Sequence, residues 1–187
     1  MVIRKQRPTP FGEPLWWGTW WMIVSGFPGF STQAGVINRV WLTPLWFPRP
    51  VTISRLSIHI TGSGAGSTNL RIGLYADNGG TPDGGALLEE SADIAADVVG
   101  VKVFTLSTPR ELGRGVSAWL ALITEDAVVD FTRCTSNDIL TEVGSEQIRS
   151  CSYSAAAFPA LDDPCPTVTN RDEARILGHT RVDKWRG

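Results

Sequence analysis

The chain has 187 residues, 42% of them hydrophobic and 19% charged, with a formal net charge of −2. That length and balance fit one globular domain with an arm, or two very small domains, and exclude a disordered or fibrous chain. The slight acidity argues against nucleic acid as a partner, because phosphate contacts call for a basic excess.

Met1 to Thr32 reads as an irregular arm, broken by Pro8, Pro10, Pro14 and Pro28 and by Gly12, Gly18, Gly26 and Gly29. Leu15 to Val24 is apolar behind Arg4, Lys5 and Arg7, which is the outline of a signal peptide. Trp16, Trp17, Trp20 and Trp21 dominate that run, Gly18 interrupts it and no small-x-small cleavage site follows closely. It is also far short of the ~20 apolar residues of a membrane helix. Neither a targeting segment nor a membrane span is expected. Each indole can bury about 150–250 Å², so at about 25 cal/mol per Å² the arm must lie against something. Either it covers its own domain, or it docks on another subunit through Trp16, Trp17, Trp20 and Trp21.

From Gly35 onward the pattern is β. Val36 to Phe47 is rich in branched and aromatic residues, and Pro44, Pro48 and Pro50 place it at an edge or at bends. In Val51 to Ile60, Leu56, Ile58 and Ile60 share one face and Arg55, Ser57 and His59 the other. The parity slips between Ile53 and Leu56, which predicts a bulge. After the small, polar loop Thr61 to Asn69, Leu70, Ile72 and Leu74 alternate in a second strand, expected to pair with the first as a hairpin. Asp77 to Gly85 (DNGGTPDGG) is dense turn chemistry. Val99 to Leu106 is a strand, Pro109 to Gly115 a turn and Ser117 to Ile123 a further strand.

That last strand carries Trp119, Ala121 and Ile123 on one face and Leu120 and Leu122 on the other. A strand apolar on both faces is covered on both. The arm or another chain is expected over one of them, which makes Leu120 and Leu122 interface candidates. Val128 to Phe131 and Ile139 to Val143 are short strand candidates, and Ser152 to Pro166 reads as loop. Thr167 to Thr169, a turn at Asn170 to Asp172, and Ala174, Ile176 and Val182 facing inward read as a closing hairpin. The expected fold is all-β: an antiparallel, jelly-roll-like β-sandwich over residues 33–187 with an extended Trp-rich arm over 1–32.

The chemical motifs are weak. Gly62-Ser63-Gly64-Ala65-Gly66 lacks the GK[ST] of a phosphate loop and precedes a strand, so it is a loop. Asp77, Asn78 and Asp83 carry oxygens suited to Ca²⁺, but match no ion-loop spacing and form turns, expected as a surface loop. Glu89-Glu90 and Asp162-Asp163 are neighbours, which in a strand point to opposite faces, so their adjacency is no evidence for two carboxylates facing across a sugar and they read as solvated surface acids. His59 and His179 are the only histidines, and neither GxSxG nor HExxH occurs. No catalytic residue, cofactor or metal is expected. Cys134, Cys151 and Cys165 show no metal spacing and read as reduced, partly buried thiols, with a Cys134–Cys151 bridge open if their strands are adjacent. Trp41, Trp46 and Tyr75 are suited to sugar stacking or, as expected here, to core or interface packing.

Three segments in order, NRVWLTPLWFPRPVTISRLSIHI (Asn38 to Ile60), LRIGLYADNGGTPDGGALLEE (Leu70 to Glu90) and VFTLSTPRELGRGVSAWLALI (Val103 to Ile123), carry a resemblance. The stretch Asn38 to Ile123, a little under half the chain, resembles a β-sandwich domain recurring in tail-fibre and related virion proteins of tailed bacteriophages. The shared pattern is an entry strand ending in Thr-Ile, a Gly/Ser loop, a GLYAD strand with a Pro/Gly turn, and a Trp-Leu-Ala strand. The resemblance implies an oligomeric, often trimeric, non-enzymatic fibre tip, spike or attachment module. No GXY repeat or heptad shaft is present, so a compact head-decoration or connector piece also fits. The expected partners are further copies, with a trimer the leading form, other virion proteins and a host surface glycan or protein. The expected place is the virion, after synthesis in the host cytoplasm. The rival is a non-catalytic carbohydrate-binding module, which requires exposed coplanar rings where an assembly contact would bury them.

Overall fold

A computed structural model describes residues 16–17, 20–22, 30–47, 49–64, 66, 68–134, 138–139, 148–155, 157–158, 160–169, 175–176 and 178–185. Every regular element among them is a strand. The first six are β1 (Trp16–Trp17), β2 (Trp20–Met22), β3 (Phe30–Ala34), β4 (Arg39–Phe47), β5 (Val51–Gly62) and β6 (Asn69–Ala76). Then follow β7 (Leu87–Glu90), β8 (Ile94–Ala95), β9 (Gly100–Leu112), β10 (Gly115–Thr124) and β11 (Asp130–Cys134). The chain closes with β12 (Asp138–Ile139), β13 (Ile148–Arg149), β14 (Cys151–Ser154), β15 (Arg175–Ile176) and β16 (Gly178–Trp185).

Two antiparallel sheets pack face to face, as the alternating pattern requires. The first runs β1-β2-β16-β5-β11-β15, with β3 alongside β11 and β9 alongside β5. The second runs β14-β4-β10-β6-β7, with β8 also on β6. A short ribbon joins β12 to β13. Between the sheets lie Trp41, Leu45 and Phe47 of β4, Val51, Ile53, Leu56, Ile58 and Ile60 of β5, and Leu70, Ile72 and Leu74 of β6. Phe104 and Leu106 of β9, Leu120 and Leu122 of β10, and Phe131 of β11 complete that layer. Trp41 and Phe131 meet edge to face at 6.0 Å, the geometry that aromatic quadrupoles favour. Full burial of each aliphatic side chain contributes about 1.5–3 kcal/mol.

The parity slip in β5 is a real bulge. Its register against β9 shifts between Ile53 and Arg55. That shift returns Val51 and Ile53 to the same buried face as Leu56, Ile58 and Ile60. Pro44 is tolerated because β14 pairs β4 only from Arg39 to Leu42, so the strand is locally an edge beyond that point.

Four expectations are corrected. β5 and β6 do not form a hairpin: β6 pairs β10, β7 and β8, while β5 pairs β9, β11 and β16 in the opposite sheet. The Gly/Ser loop therefore crosses between the sheets, a span of about 10 Å. Pro109 lies within β9 rather than in a turn. β9 pairs β5 at Arg110↔Ile53 and again at Thr105↔Arg55, and the residues between bulge outward, where a proline loses no ladder bond. β16 pairs β5 and β2, so the predicted hairpin with Thr167–Thr169 is not made. The arm is more regular than expected: β1 pairs β2, and β2 adds to β16, lengthening the first sheet. Most of Ile139 to Val143 lies outside the described residues.

Candidate functional site

β10 turns Leu120 and Leu122 inward between the sheets and Trp119, Ala121 and Ile123 outward. The outward set makes a second apolar layer with Val40, Leu42 and Tyr75. The chain itself covers this layer. Tyr153 and Ala155, then Leu161, Cys165 and Val168, are buried against it, with Phe158 at the margin. The stretch read as loop is thus a strap over the second sheet, and neither the arm nor another chain is needed there. Leu120 and Leu122 are each 1% exposed in the inter-sheet core, so as interface residues they are corrected: no partner can reach them.

An irregular segment has no ladder to satisfy its backbone, so side chains must do so. Asn38, at φ 59°, adopts the left-handed conformation that Asn tolerates better than most residues. Its Oδ1 accepts from Phe158 N at 3.0 Å and its carbonyl from Ala155 N at 2.8 Å. Glu90 Oε1 accepts from Leu161 N at 3.1 Å and Asp163 Oδ1 from Leu87 N at 2.9 Å. Gly84 N donates to Cys165 O at 2.8 Å, and Cys165 N to Gly85 O at 2.9 Å. Gly73 lets the strap approach closely, since a Cβ there would collide with Leu161 Cδ1.

The turn Asp77 to Gly85 braces this arrangement. One Asp77 oxygen accepts from the Trp119 indole at 2.8 Å and the other from Gly80 N at 2.9 Å. Asn78 Nδ2 donates to the Asp83 carbonyl at 2.8 Å, and Asp83 Oδ1 accepts from Val168 N at 2.9 Å. Asn78 is exposed, as a surface loop requires, whereas Asp77 and Asp83 are half-buried. These oxygens serve the fold. Under the strap, the Tyr75 and Tyr153 hydroxyls lie 2.9 Å apart, and Tyr75 donates to Asp162 O at 2.6 Å. Burial first, then the Tyr153 hydrogen bond, raises the Tyr75 phenol above its ordinary range. Burial also raises Tyr153, partly offset by its hydrogen bonds with Tyr75 and the Asp162 backbone. The Cys165 thiol is pushed up to about 12 by burial and by nearby Asp83 and Asp162. The Cys151 and Cys165 side chains are both buried.

Two further titratable groups, on the first sheet and at the sandwich edge, have structural partners. Glu89 pairs with Arg110 at 3.5 Å and accepts from Ser107 N, joining β7 to the β9 bulge across the sandwich edge. His59 Nδ1 lies 2.9 Å from Thr132 Oγ1. Among the described residues, no three His, Cys, Asp or Glu side chains gather as a metal site would need. No helix there is long and apolar enough to cross a membrane. Of the rings weighed for sugar stacking, Trp41 and Tyr75 are core residues and Trp46 is half-buried. The side chains of Trp16, Trp17, Trp20 and Trp21 lie outside the described residues, while their backbone forms the β1–β2 ribbon.

What remains open is one end of the sandwich, where four loops meet. Gly35 N donates to Val129 O at 2.7 Å, joining the β3–β4 turn to the β10–β11 loop. Thr68 Oγ1 donates to Asp126 Oδ2 at 3.0 Å, bringing in the β5–β6 loop. Gly64 N reaches Ala96 O at 3.0 Å and Ala96 N reaches Thr68 O at 2.8 Å, adding the β8–β9 loop. Ile37, Val98, Val99 and Val128 on these loops, with Val101 at the start of β9, are 55–59% exposed. Apart from Val103, these are the exposed large hydrophobics among the described residues. The sequence does not signal their exposure, since Ile37, Val99, Val101 and Val128 fall in stretches that read as β.

No protein-family model matches the chain, and no curated protein matches its sequence.

Proposed function

We propose that the chain is a structural subunit of a tailed-bacteriophage virion, a tail-fibre, spike or head-decoration component. It works by assembling with its own copies and with neighbouring virion proteins, and by presenting loops to the host surface. The three-segment resemblance over Asn38 to Ile123 supplies the setting, and the all-β sandwich agrees with it. The single observation that carries the assembly reading is the loop end. A sandwich that hides both faces of its second sheet internally still leaves Ile37, Val98, Val99, Val101 and Val128 each more than half exposed, on or beside loops that meet at one end. Exposed apolar side chains gathered at one end of a domain are what a contact surface would supply. Carboxylates and tyrosines that serve the strap and turns point to a scaffold role rather than to catalysis. The burial of Trp41 and Tyr75 weighs against a sugar platform built on them.

Electron microscopy of phage particles whose genome encodes the chain, labelled with gold-conjugated antibody against it, tests this reading. Gold at one fixed place on the particle is expected. Particles free of label, from cells that make the chain abundantly, would overturn it.

A further inference from the structure

We infer that the strap, residues 155–169, is a lid: a unit that lifts from the second sheet while the sandwich beneath it stays folded. It needs no second copy to do so. The strap belongs to only one of the two apolar layers. Ala155, Leu161, Cys165 and Val168 are buried in the outer layer with Tyr75 and Trp119. The inter-sheet layer comes chiefly from β4, β5, β6, β9, β10, β11 and β16, and none of its residues lies in the strap. The two sheets are therefore held together whether the strap is down or up. Opening gives up part of one layer and unfolding gives up both, so opening costs less. The freedom that the strap regains offsets part of the lost burial.

The way the strap is bonded points the same way. Among the described residues no strand falls between Ser154 and Arg175, so lifting the strap withdraws no strand from either sheet. Phe158 N, Leu161 N and Val168 N each donate to a single side-chain oxygen, of Asn38, Glu90 and Asp83 respectively. Asp163 accepts from Leu87 N, Cys165 bonds with Gly84 and Gly85, and Thr169 N donates to Ser152 O. Bonds to such scattered acceptors lend one another none of the support of a ladder. A segment held like this opens at the low end of a protein's stability range. What the lid uncovers is the outward side of β4, β6 and β10, with Val40, Leu42, Tyr75, Trp119, Ala121 and Ile123.

Cys165 sits in the strap and reports its state. Closed, its side chain is buried and its ionisation is pushed up to about 12 by burial and by Asp83 and Asp162. Lifted, the thiol returns to the ordinary range of about 8.5 and becomes reactive, because the thiolate is the nucleophile.

Alkylation of the full-length chain with iodoacetamide at about pH 8, read at the Cys165 peptide by mass spectrometry, tests the lid. Below the unfolding transition, the Cys165 rate should rise with urea no more than about half as steeply as global unfolding does, because opening exposes less surface. Ile58→Val, in the layer that the open form keeps, should leave that rate unchanged while shifting the overall unfolding equilibrium by roughly two- to tenfold. Asn38→Gly should raise the rate severalfold. It removes the Oδ1 acceptor of Phe158 N, while φ 59° stays within the range of glycine. A Cys165 rate that follows urea as steeply as unfolding, and that Ile58→Val accelerates in proportion, would overturn the lid. So would alkylation as fast as in the urea-unfolded chain, which would mean that the strap is not closed at all.

Discussion

Replacing Trp119 by alanine should lower the melting temperature by about 6–20 °C, from a loss of about 3–5 kcal/mol at about 2–4 °C per kcal/mol for a chain this size. The indole is 1% exposed on the outer face of β10, sealed by the strap. Its truncation opens a cavity between sheet and strap and removes the donor to Asp77 Oδ1. With total stabilities of about 5–15 kcal/mol, a loss of that size is a large fraction of the whole. Trp46, half-buried at the free margin of β4, should cost much less on the same change. Scanning calorimetry decides the matter. A Trp119→Ala protein that melts like the wild type would mean that this face is not covered by its own chain.

The second large effect is alkaline unfolding. Tyr75, Tyr153 and Cys165 all hold their protons more tightly folded than unfolded, because burial disfavours each anion. Below the unfolded-state values the two states bind equal numbers of protons at these groups, and stability there does not change with pH. As pH rises past ~8.5, an unfolded cysteine loses its proton while Cys165 keeps it, and past ~10 the tyrosines follow. The unfolded state then binds fewer protons, so stability falls by up to about 1.4 kcal/mol per pH unit for each group. For Cys165 the fall continues until about 12, where the folded thiol also ionises. Urea titrations from pH 7 to 11 should show a loss that begins near pH 9 and steepens above 10. Cys165→Ala should remove the early part of its slope and leave the later part. A midpoint constant up to pH 11 would contradict the buried placement of all three.

Local features were legible and long-range ones were not. The bulge after Ile53 followed from parity alone, because a period of two admits only one way to return Val51 and Ile53 to the buried face. The two-sided burial of β10 was equally plain from Trp119 to Ile123, but alternation does not say which face is inner. Leu120 and Leu122 were assigned to the wrong side for that reason. The crossing after β5 was hidden because Gly62 to Thr68 permits a hairpin and a sheet change alike. The strap was hidden because it has no period at all. It is held by Asn38, Leu87 and Glu90, by Asp83 and by Gly84 and Gly85, far away in sequence, through bonds that leave no local pattern. Its apolar residues, Leu161, Cys165 and Val168, looked like isolated members of a loop.

The β1–β2 ribbon and the loop end belong together in this account. The ribbon extends the first sheet beyond β16, and the loop end carries Ile37, Val98, Val99, Val101 and Val128 exposed among the described residues. Sedimentation equilibrium of the full chain at micromolar concentration measures this directly. A closed assembly of three copies is predicted, with a mass that does not change as the sample is diluted through that range. A single species of monomer mass at every concentration would contradict it.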